Sequence, residues 1–396
     1  MFQDLSTLPP DPLLGIAVAY KADTNPKKID LGVGIYKTEE GTTPILDSVQ
    51  QAITTLTETE DSKAYIAAQG NADYLAGMQA LLLGSDNPLL TSGRISAIQA
   101  PGGTGSLRLG SELIAAAKPG ATVWVSDPTW ANHVPLMKSA GLDLKVYPYF
   151  DTETNSLKAD EMLATLETLG ENDVVLLHGC CHNPTGEDIP LDVWRKIIKL
   201  AVEKKFTPYV DIAYQGFGVD LETDVQGVRE LAAAVPEMLI AASCSKNFGL
   251  YRERTGMIAV ISEDADKAEA VRTNTLSIAR GIYSMPPSYG AALVGIILKD
   301  EELTKVWKAE LAEMCERMNS LRTLLVSKLK ELGVEKDFSH IERQAGMFSF
   351  LGINKEQVQR LRDEYSIYMA GNSRINIAGI SKANVEYLAE SIAAVL

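Results

Sequence analysis

Basic charge is what this chain has least of. Its 37 lysines and arginines face 52 aspartates and glutamates, a formal net charge of −15. Nucleic acid and anionic membrane surfaces are bound through a basic face, so that partner class is excluded. An anionic small ligand is left only those places where arginines and helix N-termini gather. No apolar run is long enough to cross a bilayer. The opening Met1-Phe-Gln-Asp-Leu-Ser6 has neither the basic nor the apolar region of a leader, and the expectation is a cytoplasmic protein. Cysteine is scarce as well. Cys180, Cys181, Cys244 and Cys315 show no framework spacing, and the adjacent pair cannot easily bridge, so free thiols in a reducing compartment are expected. Internal repeats and low-complexity segments are missing too.

What is present is length and alternation. At 396 residues the chain suits two domains or one large elaborated one. Seven strand-like runs occupy 94–99, 122–126, 144–149, 174–178, 208–212, 238–242 and 256–261. Helical patterns fall between most of them, at 106–117, 159–168, 191–204 and 224–234. Strands alternating with helices predict an α/β fold with a mostly parallel sheet. Ligands of such sheets sit at the carboxyl ends of the strands. Before the first run lie an amphipathic patch at 12–20, a short strand at 31–36, a turn at 41–44 and a helix at 49–58. Gly32 and Gly34 permit either a ligand's close approach or a bulge in that short strand. A charged helical pattern over 301–332 has the length of a bridge. Beyond it, short strands near 347–351 and 374–378 and helices near 355–364 and 383–395 predict a second, smaller α+β unit.

The chemistry gathers after the strands. Lys246 follows the buried run 238–242 and the small residues Ser243, Cys244 and Ser245. A lysine there is a solvated surface residue or is paired, deprotonated or covalently used. Arg252 and Arg254 follow, and cationic neighbours free an amine as a nucleophile for an aldehyde such as pyridoxal phosphate. Gly102-Gly-Thr-Gly105 follows a strand and opens a helix, which makes it a tight turn or a phosphate cradle. It is not a dinucleotide fingerprint and lacks a P-loop lysine. Trp130 is a packing residue or a stacking platform, with His133 close by. In His178-Gly-Cys-Cys-His-Asn-Pro-Thr-Gly186 the ligand spacing does not favour zinc, and Asn183 is placed to donate to a ligand oxygen. Asp211 ends a buried strand and needs a cationic partner, which a pyridinium nitrogen supplies; Tyr214 follows within reach of a ring hydroxyl.

Taken together, Asn183-Pro-Thr-Gly, Asp211-Ile-Ala-Tyr and Ser243-Cys-Ser-Lys resemble the class I pyridoxal-phosphate aminotransferases. Leu31-Gly-Val-Gly-Ile-Tyr36, Ser126-Asp-Pro-Thr-Trp130, Lys246-Asn-Phe-Gly-Leu-Tyr251, Arg280-Gly-Ile-Tyr-Ser-Met-Pro-Pro287 and Gly346-Met-Phe-Ser349 resemble the aspartate and aromatic amino acid subgroup. The match runs nearly the whole chain, in order.

The resemblance implies a fold type I homodimer with shared active sites. Residues 43–311 would form the large cofactor-binding domain, and 1–42 plus 312–396 the small one. It gives Lys246 the Schiff base to pyridoxal 5′-phosphate and the proton shuttle, and Asp211 the ring nitrogen. Tyr214 and Asn183 would bond the ring oxygen, and Trp130 would stack on the ring. Gly103, Thr104, Ser243, Arg254 and the partner chain's copy of Tyr65 would hold the phosphate. Arg374, with Gly34, Asn183 and Trp130 around it, would take the α-carboxylate. Arg280 from the partner chain would take a distal carboxylate. His133 and His178 would support Asp211. The implied reaction is ping-pong amino transfer from aspartate or aromatic amino acids to 2-oxoglutarate. Its rivals are another fold type I reaction, as in a lyase or decarboxylase, and a non-catalytic ligand-binding regulator. Two positions depart from the subgroup pattern: Gly102, often serine there, and Met285, commonly asparagine in aspartate-preferring members.

Overall fold

A computed structural model describes residues 2–7 and 12–396. The seven expected strands form one sheet: β1 (Ile95–Pro101), β2 (Thr122–Asp127), β3 (Asp143–Pro148), β4 (Asp173–His178), β5 (Thr207–Ile212), β6 (Met238–Ser243) and β7 (Thr255–Ile261). Their order is β1-β7-β6-β5-β4-β2-β3. Only β7 runs antiparallel to its neighbours, because it returns from β6 through a loop rather than through a crossover helix. Central strands are apolar on both faces. Val174 and Leu176 of β4 pack into one cluster, while Val175 and Leu177 pack into the other. A doubly covered parallel strand reads as a continuous hydrophobic run for this reason.

Helices Ala159–Glu167 and Leu191–Lys204 lie where periodicity put them. The helix after β1 begins earlier, at Gly102, and ends at Ala117. The 224–234 pattern splits into a 3-10 turn, Thr223–Val225, and a helix, Gln226–Ala234. The patch at 12–20 falls within the helix Pro12–Ala22. Five further helices, Ala72–Leu83, His133–Ser139, Ala265–Ile282, Ser288–Lys299 and the short His340–Arg343, lie outside the expected elements.

The short strand expected at 31–36 does not form. The strand is Ile29–Asp30, paired in parallel with Ile367–Tyr368. Residues after it are held by side chains instead of a ladder. Asp30 Oδ1 accepts from Gly32 N–H at 3.0 Å, and Tyr251 Oη accepts from Tyr36 N–H at 2.8 Å. Asn376 Nδ2 donates to the carbonyls of Val33 and Ile35 at 2.6 and 2.8 Å. The strand expected at 374–378 stops at Asn376 and continues as a 3-10 turn, Ile377–Gly379.

One helix, Glu301–Glu331, reaches both regions that matter for the site. Near its start Trp307 stacks on Phe248, with ring centroids 4.2 Å apart, and its indole N–H donates to the Asn247 carbonyl at 2.7 Å. Further along, the buried Arg322 donates to the carbonyls of Ile341, Gly346 and Phe348 and to Ser349 Oγ. Removing a guanidinium from water costs several kcal/mol, so a position with four oxygen acceptors but no carboxylate contact is an unusual one.

Candidate functional site

The carboxyl ends of β1, β4, β5 and β6 and the amino end of β7 surround a cavity of about 250 Å³. Sheet register makes it. His178 on β4 lies beside Asp211 on β5, and Asp211 beside Ala241 on β6, so the residues that follow each strand face one space.

Lys246 lies on the loop joining β6 to β7, with Nζ 4.6 Å from the centroid of the Tyr214 ring. Burial pushes its ammonium down to about 8; the Asp211 carboxylate works against this and the Arg254 guanidinium adds to it. An appreciable share of this amine is uncharged near neutral pH, as a nucleophile requires. Of the two arginines expected to do this, only Arg254 contributes; Arg252 points into solvent.

Asp211 Oδ2 is 2.9 Å from His133 Nε2. Burial alone would raise this carboxyl. The hydrogen bond from His133, helped by the nearby Lys246 ammonium, outweighs it, so Asp211 is held below the ordinary range and ionised. Burial pushes His178 down to about 3, so it is neutral. The tautomers then follow from one fixed donor. The Asn183 N–H donates to His178 Nδ1 at 3.4 Å, leaving the His178 proton on Nε2, which meets Thr129 Oγ1 at 3.2 Å. Thr129 then donates to His133 Nδ1 at 2.8 Å, and His133 gives its Nε2 proton to Asp211. A carboxylate so supported pairs with a ligand cation without itself being protonated.

Opposite, β1 runs into the helix Gly102–Ala117, and Gly103 and Thr104 line the cavity at its first turn. Ser243 faces them from the end of β6. Arg254 closes the group, tethered by its Nη1 to the Tyr251 carbonyl at 3.0 Å. Helix N–H groups with a guanidinium beside them make an anion site. Gly102 has φ +69°, and a Cβ there would meet Arg254 Nη2 at 2.5 Å. The glycine is what lets the guanidinium approach the helix.

Arg374 stands at the other side. Its Nη2 donates to the Gly32 carbonyl at 2.9 Å and its Nη1 to Asn183 Oδ1 at 3.4 Å, while Nε is buried without a partner. The guanidinium lies 4.3 Å over the Phe348 ring. A Cβ on Gly34 would meet that ring at 2.7 Å, so the glycine makes room for it. Trp130 borders the cavity and meets His133 edge-on at 5.2 Å. Tyr214 is buried, which raises its phenol well above the usual value.

Two expected residues are not brought here by this chain. Tyr65 is 92% exposed and lines no part of the cavity, and Arg280 is exposed at the end of the helix Ala265–Ile282. Arg280 Nη1 donates to Ser284 Oγ at 2.8 Å. Thr129, Tyr251 and Phe348 belong to the site but received no role from the sequence. All three lie inside the quoted motifs, so a closer reading of those motifs was the available signal. His182 is not free for zinc, since its nitrogens meet Ser126 Oγ at 2.9 Å and Thr185 Oγ1 at 2.8 Å. The four cysteines are free and buried.

The family profile for aminotransferase class I and II matches residues 26–392. The aspartate aminotransferase of Haemophilus influenzae is 44% identical over 396 residues, covering 100% of each chain. The aromatic-amino-acid aminotransferase of Pseudomonas aeruginosa is 44% identical over 394 residues, covering 100% of this chain and 98% of its own. The crystal structure of the aromatic-amino-acid aminotransferase from Burkholderia pseudomallei, covalently bound to pyridoxal phosphate, superposes with a TM-score of 0.98. It is 41% identical and covers 100% of this chain and 99% of its own.

Proposed function

From the premise that the chain belongs to the class I and II aminotransferases and is a pyridoxal-phosphate-dependent transaminase, we propose that it moves an amino group between aspartate or an aromatic amino acid and 2-oxoglutarate, in two half-reactions at one site. One observation carries the reading: an amine of lowered pKa, an ionised carboxylate, an anion cradle and a guanidinium whose Nε has no partner all line one cavity.

The residues present fit the cofactor. When bound, it supplies an electron sink for the charge released at the substrate α-carbon. Gly103, Thr104, Ser243 and Arg254 would hold its phosphate. Asp211 would pair with the ring nitrogen, Tyr214 and Asn183 would reach the ring oxygen, and Trp130 would cover the ring face. Lys246 would carry the covalent link and, as a free amine, would take and return the α-proton. Arg374 presents Nε and one Nη edge to the α-carboxylate, the paired geometry a guanidinium suits.

Tyr65 and Arg280 serve the site from a second copy of the chain, which makes the working unit a homodimer. Their exposure within one chain supports this reading. Arg280 and Met285 on one segment support dual specificity. The arginine pairs with a dicarboxylate, and the flexible apolar methionine repacks around a ring. The division into residues 43–311 and 1–42 plus 312–396 is supported by the large sheet lying wholly within the first part. Among the described residues no helix is long and apolar enough to cross a membrane. A cytoplasmic location accords with the four unpaired thiols.

Relatives named as transaminases weigh against a lyase, a decarboxylase or a non-catalytic regulator. A half-reaction screen with aspartate, tyrosine and phenylalanine tests the whole reading. Stoichiometric conversion of the cofactor to its amine form by each donor is the expected result. Release of ammonia or carbon dioxide instead would overturn it.

A further inference from the structure

The strand that carries Arg374 is short. Arg374–Asn376 pairs only with Phe348–Phe350, three residues against three. An isolated two-stranded pair of this size does not hold itself in water. Phe348 lies diagonally across this pair from Arg374, on the same face, and its ring is the floor under the guanidinium. Anything that lets Phe348 drift also lets Arg374 rotate.

The outer edge of that floor is held from outside the pair. Met347 and Ser373 carbonyls accept from Ile377 and Leu351 across the ladder. The Phe348 carbonyl faces the other way, and Arg322 Nη2 donates to it at 2.8 Å and to the Gly346 carbonyl at 2.7 Å. Arg322 Nη1 donates to Ser349 Oγ at 2.6 Å and to the Ile341 carbonyl at 3.0 Å. Three of the four acceptors thus lie within two residues of Phe348. Arg322 is 1% exposed and makes no salt bridge among the described residues. A cation that only added stability would be replaceable by an apolar side chain of similar volume, often at no loss. We propose that Arg322 is a positioning residue for the α-carboxylate site: it fixes Phe348, and through that ring the plane of Arg374. The inference rests on the assignment of the substrate α-carboxylate to Arg374.

Position matters because paired hydrogen bonds demand a plane. Guanidinium and carboxylate meet edge to edge, and a small tilt breaks one of the two bonds. Loss of the brace therefore weakens every substrate alike, whatever its side chain, since all share the α-carboxylate.

The test uses the holoenzyme and four variants: Arg322→Met, Arg322→Lys, Phe348→Leu and the double variant Arg322→Met with Phe348→Leu. Arg374→Lys is the reference. Steady-state KM and kcat are measured for aspartate and phenylalanine, with the binding of 3-phenylpropanoate, which offers a carboxylate but no amine. Arg322→Met and Phe348→Leu should each raise KM for both donors, and weaken 3-phenylpropanoate, by roughly ten- to a hundredfold, with kcat changed far less. Arg322→Lys should restore part of that loss, and the double variant should be no worse than the worse single one. Unchanged KM with only a lower melting temperature would make Arg322 a mere brace of the fold and overturn the inference. Additive losses in the double variant would do the same. If Arg322→Met does not fold, Phe348→Leu and Arg322→Lys still decide, because each must move KM. If Arg374→Lys itself leaves KM unchanged, the carboxylate assignment falls and the inference with it.

Discussion

His133 Nε2–H donates a hydrogen bond to Asp211 across 2.9 Å, and that bond helps hold the carboxyl below its ordinary range. The same bond leaves Asp211 Oδ1 free to face a second cation. Asp211→Asn keeps the shape but removes the charge. It should slow α-proton removal by about 4 kcal/mol or more of barrier, three orders of magnitude. Single-turnover half-reactions measure this, and near-normal rates would sink the role.

Lys246 should be the residue labelled when the holoenzyme is reduced with borohydride and mapped by peptide analysis. Lys246→Ala should stay folded and take no label. Its amine titrates at about 8, so attachment of the cofactor to the apoprotein should rise about tenfold per pH unit below that value and level off above it. The Asp211 carboxylate holds that pKa up, so in Asp211→Asn the plateau should begin at lower pH. A label on another lysine refutes the assignment.

Arg280→Leu should lose on the order of a hundredfold or more in kcat/KM for aspartate and far less for phenylalanine, because a charged carboxylate left unmatched is costly and an apolar ring is not. Equal losses would mean that Arg280 is structural and would remove the dual-specificity claim.

Mixing Arg280→Leu with Lys246→Ala, followed by unfolding and joint refolding, should restore aspartate turnover that neither parent has. Each mixed dimer then holds one site with both residues intact. An active monomer in sedimentation, or no recovery on mixing, would contradict the shared site.

His178 and His182 are both buried and pushed down, so both are neutral in the folded protein at neutral pH. An unfolded histidine titrates near 6.5, so below that pH the unfolded chain binds more protons and stability falls as pH falls. Each group contributes up to about 1.4 kcal/mol per pH unit of slope, until its folded value is reached. Asp188, pushed up to about 6 by burial, acts in the opposite sense between its unfolded value and 6. Denaturant midpoints between pH 7 and 5 should therefore decline, less steeply in His182→Gln than in the parent. Imidazole signals of either residue that titrate between pH 5 and 8 would be the contrary result.

The sheet was legible because its central strands are buried on both faces. Runs such as Val174-Val-Leu-Leu177 admit few alternatives, and all seven fell within a residue or two of their places. The segment at 31–36 misled for a physical reason: its apolar alternation is real, but Asp30, Asn376 and Tyr251 take its backbone bonds, and those residues are distant in sequence. Helices such as Ser288–Lys299 are apolar nearly all round and give no clear period to read. Lys246 and Asp211 were legible as costly residues at strand ends, and Arg374 through the family resemblance alone. Phe348 was not, since one more phenylalanine beside a strand looks like core. Nor does any pattern show that Arg322, in the middle of a charged helix, points inward.

That helix sets a measured distance inside the molecule. Trp307 holds the loop of Lys246 at one point, and Arg322 holds the floor of Arg374 at another. The residues between them rise about 1.5 Å each and turn about 100° each. One residue gained or lost there would swing one contact away from its target by more than a quarter turn. This stretch works as a caliper whose jaws are the amine and the carboxylate pocket, and its length is not adjustable.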